Sequence, residues 1–211
     1  LFLILSLGIS HGALDHIKGK KLLKLLNYKS TSTFYILYVL VGLSVILLWL
    51  LFSKILLLIF LIVASYHFGK EDSEFINSKS NLELVYFFKG SLVITAPLLF
   101  HKTETLNIFN NLNFDISQSL FISNEFLYVF IALSFFANII ISLNKQLDTK
   151  SLLLMDFISI LLLNYFLNPI LAFTIYFCFL HSIRHSFKLS NELNKKNFIK
   201  GFKEFLVKAM P

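Results

Sequence analysis

The six histidines are the residues whose chemistry and spacing suggest a functional site. His181 and His185 stand four residues apart in the segment HSIRH, so both imidazoles project from one face of a helix. Two imidazoles at this spacing can bind one metal ion, although such a pair alone is weak evidence. His11 in GISHG and His67 in ASYHFG stand among small residues, which let helices approach closely. These four histidines are therefore the candidate metal ligands.

The composition indicates that lipid is the solvent for much of the surface that surrounds these histidines. The 211 residues are 56% hydrophobic and only 15% charged, and the mean hydropathy is +0.75. Soluble proteins have about 25% charged residues. The single cysteine, Cys178, excludes a disulfide framework and a cysteine-rich zinc site. We therefore expect one integral membrane domain over residues 1–211. Because the sequence begins with Leu1 inside an apolar run rather than with Met, and stops at KAMP where another element could begin, we expect it to be incomplete at both ends.

Apolar runs separated by short polar segments predict an all-α, polytopic transmembrane helix bundle with about seven membrane helices. About 20 residues cross the hydrocarbon core of a bilayer, so the long run 34–68 is divided at its polar break, Ser53–Lys54. Between the helices we expect a basic stretch at 17–33 and a polar loop at 101–124. A C-terminal amphipathic helix at 193–208 is expected to lie at the membrane surface. The seven expected spans are 1–16, 34–52, 54–68, 82–100, 125–143, 151–167 and 170–188.

The distribution of positive charge predicts the orientation of these helices. With the 17–33 stretch in the cytoplasm, every lysine and arginine except Lys54, Lys89 and Lys102 falls on the cytoplasmic side. This bias obeys the positive-inside rule. The net charge of +7 is therefore a topology signal, with anionic lipid rather than nucleic acid as the partner. A multi-pass protein of the cell (inner) membrane is expected.

The same topology brings the four candidate ligands to one membrane depth, towards the cytoplasmic side, because the first, third and seventh spans run in one direction. Ionisable groups inside a bilayer are functional candidates. His16 is expected at the interface and His101 at the opposite surface. Asp15, four residues after His11, is either a carboxylate that orients an imidazole or a solvated helix end. The same choice applies to Asp72, for which a loop charge is favoured.

An all-imidazole ligand set disfavours magnesium and calcium and suits iron, zinc or copper. The 25 phenylalanines and the many leucines and isoleucines predict an apolar pocket. Such a pocket suits a long apolar substrate that enters from lipid, together with O2. The ligand types by themselves leave the identity of the metal open.

Three segments of the chain resemble the Brp/Blh family of bacterial and archaeal membrane β-carotene dioxygenases: GISHGALDH, ASYHFGKED and NPILAFTIYFCFLHSIRHS. The resemblance implies cleavage of the central double bond of β-carotene by O2, with Fe(II) as cofactor. It further implies two molecules of all-trans retinal as products, which serve microbial rhodopsins as chromophore. On this resemblance, the iron ligands and catalytic residues are His11, His67, His181 and His185.

Three other functions compete with this one. In a membrane haem protein, two of the histidines would be axial ligands of the haem iron. In a non-enzymatic transporter or proton relay, charged residues would follow a path across the bilayer, whereas the polar groups of this chain crowd one side. A diiron desaturase would need more histidines than the six present.

Overall fold

The computed structural model describes residues 14–27, 31–74, 82–116, 120–143 and 147–209. Every regular element within these ranges is a helix, which confirms the all-α class. A short 3₁₀ turn at Leu120–Ile122 and a π-helical segment at Tyr176–Ser182 supplement nine α-helices in the described ranges. The α-helices are α1 (Asp15–Leu25), α2 (Thr31–Glu74), α3 (Glu83–Phe100), α4 (Lys102–Asn111), α5 (Asn124–Leu143), α6 (Leu147–Phe166), α7 (Pro169–Ile175), α8 (Ile183–Leu193) and α9 (Phe198–Ala209).

The prediction of about seven membrane spans is not confirmed. Four helical segments of the described chain are long and apolar enough to cross a membrane: Ser32–Ser73, Glu83–Phe100, Asn124–Leu143 and Pro169–Leu193. The apolar part of α6, Ser151–Phe166, is shorter. The expected first span falls almost entirely on residues 1–13, which lie outside the described ranges.

The long helix α2 explains part of the difference between the seven expected spans and the four observed candidates. It covers two of the expected spans as one run, and its 44 residues are about twice what one bilayer crossing requires. The backbone is non-helical at Phe52 (φ −139°, ψ 45°), next to the predicted break at Ser53–Lys54. The polar pair therefore does mark an interruption, which occurs one residue earlier than expected.

Two segments that were expected only to connect the spans, the basic stretch 17–33 and the polar loop 101–124, contain helices. The basic stretch holds most of α1, where Leu23 is buried and the lysines are largely exposed. The polar segment after α3 holds α4, in which Phe109 is buried. In both cases a few apolar side chains at helical spacing are enough to bury one face, even though the overall composition is polar.

The chain divides into two compact units, the first comprising residues 1–53 and 182–211. In its described part, α8 and α9 pack together, and Leu14 forms a small core with Leu189 and Phe205. The predicted amphipathic helix is present as α9. Its Gly201 lies against Ser190 of α8 so closely that an added Cβ would stand 2.1 Å from the Ser190 carbonyl oxygen.

The second unit comprises residues 54–181 and contains the C-terminal part of α2 with α3 to α7. Two glycines determine how closely α2 and α3 cross. A Cβ on Gly69 would lie 1.8 Å from the carbonyl oxygen of Tyr86, and one on Gly90 would lie 1.9 Å from that of Ser65. Small residues at such a crossing let the two backbones touch. Phe68, Leu92, Phe157 and Tyr176 belong to the core beside this crossing.

The last part of the second unit is a helix whose geometry changes along its length. Asn168 caps its start, since its side-chain oxygen accepts a hydrogen bond from the Leu171 amide at 2.9 Å, and Pro169 occupies the first turn. After Ile175 the helix widens into the π-helical segment. π-Helical turns are rare and frequently occur at functional sites. Here the π-helical turns carry Tyr176 and His181.

Candidate metal centre

Two of the predicted ligands, His67 and His181, lie side by side in the second unit. His67 is on α2 and His181 is on the π-helical segment, and their ring centroids are 5.4 Å apart with an interplanar angle of 69°. His181 is almost fully buried, and His67 is partly buried. Metal–imidazole bonds are about 2.0–2.1 Å long, so the ligands of one ion must have neighbouring rings. The two side chains meet this requirement.

A carboxylate supports His181 from the side. The Oδ1 atom of Asp72 lies 2.8 Å from the His181 Nδ1 atom, and Asp72 is buried at the end of α2. The other carboxylate oxygen, Oδ2, accepts a hydrogen bond of 2.7 Å from the hydroxyl of Tyr176. With Nδ1 engaged by Asp72, a metal would bind His181 through Nε2. A carboxylate on the second nitrogen of a metal-binding histidine is a common arrangement in proteins.

A buried lysine holds the backbone at Asp72 in place. The Lys89 Nζ atom on α3 donates hydrogen bonds of 3.0 Å to the Asp72 carbonyl oxygen and to the Ser73 hydroxyl. Lys89 itself is only 6% exposed, and its carbonyl oxygen accepts a hydrogen bond from Ser134 of α5. A buried ammonium group is costly unless it is paired with acceptors. The lysine thus links the end of α2 to α3 and α5.

Aromatic side chains enclose the histidine–carboxylate pair. Phe68 meets the His181 ring edge-on at a centroid distance of 4.8 Å, and Phe177 stacks on the same ring at 5.7 Å with an angle of 27°. The ring of Tyr176 lies 6.2 Å from it. These contacts hold the imidazole in one orientation and reduce the access of water. In such surroundings electrostatic interactions are stronger than in water.

The described part of the chain does not assemble the four predicted ligands into one cluster. His11 lies outside the described residues. His185 is buried on α8 in the first unit. Among the residues that the structure describes, no group of three or more histidine, cysteine, aspartate or glutamate side chains is arranged to hold a metal ion. The role of all four histidines as ligands therefore remains a prediction.

The other polar residues considered from the sequence, Asp15, His16 and His101, lie outside the hydrogen-bonded group around His181. Asp15 begins α1, and its carboxylate is 3.5 Å from the Tyr38 hydroxyl. His16 also lies on α1 and is partly exposed. His101, expected at the surface, is instead partly buried where α3 ends and α4 begins, with Glu104 4.0 Å away. The His101 side chain thus lies at the junction of α3 and α4.

Three polar residues of the site were missed or misjudged at the level of sequence. Asp72 was favoured as a loop charge, but α2 continues to Glu74 and buries it. From the sequence, Tyr176 is a candidate polyene contact together with Tyr66, Tyr165 and Phe177, with lipid-facing packing favoured, whereas the structure buries it on Asp72. Lys89 was noted only as a lysine within a span, yet a lysine in an apolar helix requires a buried partner. A lysine within an apolar helix was therefore the one sequence signal that could have pointed to the end of α2 around Asp72.

A separate apolar cavity of about 330 Å³ lies in the second unit between α2, α3, α4 and α5. Six phenylalanines contribute to its wall, and Ser65 is the α2 residue nearest to His67 in that wall. Successive residues of an α-helix are about 100° apart, so Ser65 and His67 project to nearly opposite sides of α2. The cavity is therefore not the place where His67 would meet a ligand. The six phenylalanines are Phe87, Phe109, Phe114, Phe121, Phe126 and Phe130.

These features define a class of helical protein with membrane-length apolar segments and a buried histidine–carboxylate pair among aromatic side chains. Residues 2–211 match the family described as Beta-carotene 15,15'-dioxygenase. The chain belongs to this family, and the resemblance seen in its histidine motifs is confirmed. No solved structure matches it.

One relative is named "Beta-carotene 15,15'-dioxygenase" and comes from the uncultured marine bacterium 66A03. It is 26% identical over 187 residues, which are 88% of this chain and 66% of the relative. The chain thus spans slightly less than two thirds of the length of this curated relative.

Proposed function

We propose that this protein cleaves the central double bond of β-carotene with O2, in an iron-dependent reaction that yields two molecules of all-trans retinal. The observation that carries the proposal is the placement of His67 beside His181, with Asp72 on the second nitrogen of His181. Membership of the dioxygenase family supports oxidative cleavage as the reaction at this site. The name of the relative supports β-carotene as the substrate.

The two neighbouring imidazoles, His67 and His181, are donors of a type that suits an iron ion. Imidazole nitrogens suit Fe, Zn and Cu, and a buried site with aromatic walls excludes the water that a hydrolytic zinc site would need. His67 and His181 would hold the ion, and His11 and His185 are the further ligands that the family resemblance implies. Bound iron would supply the activation of O2.

The chain's own residues have three tasks in this reaction. The histidines bind the metal, Asp72 and Tyr176 hold His181 in orientation, and Phe68 and Phe177 exclude water from its ring. The reaction balances without a further reductant. The central C=C bond breaks, and each of its carbons receives one oxygen atom of O2. A hydrocarbon polyene offers no polar group for recognition, which agrees with the apolar surroundings of His181.

The proposed setting is the cell (inner) membrane. Four helical segments long and apolar enough to span a bilayer support a multi-pass location. The excess of lysine in the polar segments supports a metal site towards the cytoplasmic side. β-Carotene would enter from the lipid, and retinal would be passed to a microbial rhodopsin.

The haem alternative is less well supported by the geometry of the pair. Axial histidines stand on opposite sides of a porphyrin plane. The ring centroids of His67 and His181 are 5.4 Å apart, somewhat closer than the roughly 6 Å expected for two imidazoles on opposite sides of one metal ion at bond lengths of about 2.0–2.1 Å. A transporter is disfavoured because Asp72, Tyr176 and His181 are hydrogen-bonded together at one place rather than spread along a path across the bilayer. A purified protein with a Soret absorbance band would reverse this preference.

The test is expression in cells that accumulate β-carotene, with pigments extracted and resolved by chromatography. We expect the wild-type chain to deplete β-carotene and produce retinal. His67→Ala and His181→Ala should abolish the conversion. His101→Ala is the matched control, since His101 lies at the α3–α4 junction, and it should retain the activity.

Each variant must be present in the membrane at the wild-type level, as measured by immunoblot. Unchanged β-carotene in cells with well-inserted wild-type protein would contradict the proposal. Aldehydes of unequal chain length in place of retinal would contradict central cleavage while leaving carotenoid oxygenation in place.

A further inference from the structure

We infer that Asp72 is a positioning residue that fixes the proton of His181 on Nδ1, and that Tyr176 and Lys89 hold Asp72 for this purpose. The inference rests on the proposed function, because it concerns the nitrogen through which His181 would bind iron. It assigns roles to three residues that are not among the four predicted metal ligands.

The first step is the hydrogen bond itself. An ionised carboxylate can only accept hydrogen bonds, so the 2.8 Å contact between Asp72 Oδ1 and His181 Nδ1 requires the proton on Nδ1. The neutral imidazole then carries its lone pair on Nε2, which is the nitrogen that a metal ion requires. The tautomer and the coordinating atom are thereby set by one contact.

The second step is the restraint on Asp72. Its Oδ2 atom receives the Tyr176 hydroxyl at 2.7 Å, and its backbone carbonyl receives Lys89 Nζ at 3.0 Å. Asp72 is therefore held at both its side chain and its backbone. The two donors lie on the π-helical segment and on α3.

The third step is the position of Tyr176 and His181 on one π-helical segment. They are five positions apart, and a π-helix repeats its hydrogen bonding at i+5, so the two side chains stand on one side of that segment. Both can then reach the two oxygens of a single carboxylate. In a regular α-helix, residues five apart are about 140° apart round the axis. The π-helical turns therefore explain why one aspartate serves both residues.

The direct test is nitrogen NMR of the purified, metal-free protein with ¹⁵N-labelled histidine, recorded at alkaline pH where imidazole is neutral. His181→Gln identifies the His181 resonances by their loss. We expect wild-type His181 to show a protonated Nδ1 and an unprotonated Nε2. Asp72→Asn should give a mixture of tautomers, because the amide offers both a donor and an acceptor.

The second readout is iron retention, measured as the rate at which a chelator removes Fe(II) from the loaded protein. Loss of such a supporting group typically weakens metal binding by about 10- to 100-fold, and we expect Asp72→Asn to lie in this range. Tyr176→Phe keeps the carboxylate but removes one restraint, so its effect should be smaller. It also serves as the test variant if Asp72→Asn does not fold.

The matched control is a variant of a second tyrosine–carboxylate hydrogen bond, whose tyrosine lies on α2. Tyr66 donates to Glu83 at the start of α3. Glu83→Gln should leave both the His181 tautomer and the iron release rate at the wild-type values. A protonated Nε2 in the wild type would overturn the inference, as would an unchanged tautomer in Asp72→Asn. The NMR experiment uses neither carotenoid nor O2, so a failure of the proposed reaction would be seen separately.

Discussion

Asp72 and His181 are 109 residues apart in the chain, and their side chains meet at 2.8 Å in the buried interior of the second unit. Asp72 is supplied by the end of α2 and His181 by a π-helical segment. A carboxylate and an imidazole buried together stabilise each other, whereas either alone would be costly. The pair is therefore both a structural contact and the polar centre of the candidate site.

The first prediction concerns Tyr176→Phe, which leaves Asp72 Oδ2 without the hydroxyl that donates to it. A buried acceptor that loses its partner typically destabilises a protein by about 1–3 kcal/mol. We expect a lower unfolding temperature in detergent and reduced retinal formation. Tyr165→Phe is the control, because Tyr165 is 61% exposed, and it should leave both quantities unchanged. Wild-type stability in Tyr176→Phe would contradict the role of this hydrogen bond.

The second prediction concerns the crossing of α2 and α3. Gly69→Ala would place a Cβ 1.8 Å from a backbone oxygen, which cannot move away as a side chain can. We expect the helices to separate, with a loss of at least the ~1–3 kcal/mol that overpacking typically costs. Thermal unfolding and the yield of membrane-inserted protein measure this effect.

Gly42→Ala is the matched control for this substitution, since an added Cβ there has nothing within 4 Å. Alanine is favoured over glycine within helices by about 1 kcal/mol, so this variant should be neutral or slightly more stable. If Gly69→Ala and Gly42→Ala behaved alike, close contact at the crossing would not be important for stability.

The third prediction concerns Lys89→Met, which retains much of the side-chain length but removes the ammonium group. The Asp72 carbonyl and the Ser73 hydroxyl would each lose a hydrogen bond of 3.0 Å. We expect destabilisation of about 1–3 kcal/mol for an acceptor left buried without this donor, and faster release of iron. Lys54→Met, at an exposed position of α2, should have little effect on either measurement.

The fourth prediction concerns metal removal and rests on the proposed function. Dialysis of the purified protein against a chelator should abolish retinal formation, and Fe(II) added back should restore it. Zn(II) should not restore it, because zinc has no redox chemistry. Activity that survives exhaustive chelation, with metal content below stoichiometry by elemental analysis, would contradict an iron-dependent reaction.

The fifth prediction concerns the apolar cavity beside α2. Because its wall lies on the side of α2 opposite His67, narrowing it with Ser65→Val should change iron retention little. Because the added methyl groups would enter a cavity of about 330 Å³, any loss of stability should not exceed the ~1–3 kcal/mol that overpacking typically costs. The chelator assay and thermal unfolding test this together. Iron release accelerated to the level expected for Asp72→Asn would show that the two faces of α2 are coupled.

Much of the helical framework was predictable because hydropathy and helical periodicity are local properties of the sequence. The expected span 82–100 corresponds to α3 at Glu83–Phe100, and 125–143 corresponds to α5 at Asn124–Leu143. Both have apolar residues on every side with a polar residue at each border. The helices α1 and α4 were missed because their apolar faces are narrow and only packing reveals them.

The sequence by itself determined the all-helical class, the membrane-length apolar segments and the four histidines to consider, since composition, hydropathy and motif spacing can be read along one dimension. Only the tertiary structure decided that Asp72 is buried rather than in a loop, and that it is shared between Tyr176 and His181. Only the fold shows that Lys89 holds the end of α2. The physical reason is that a buried polar group is defined by partners more than a hundred residues away or on another helix, and no local pattern specifies which partner it meets.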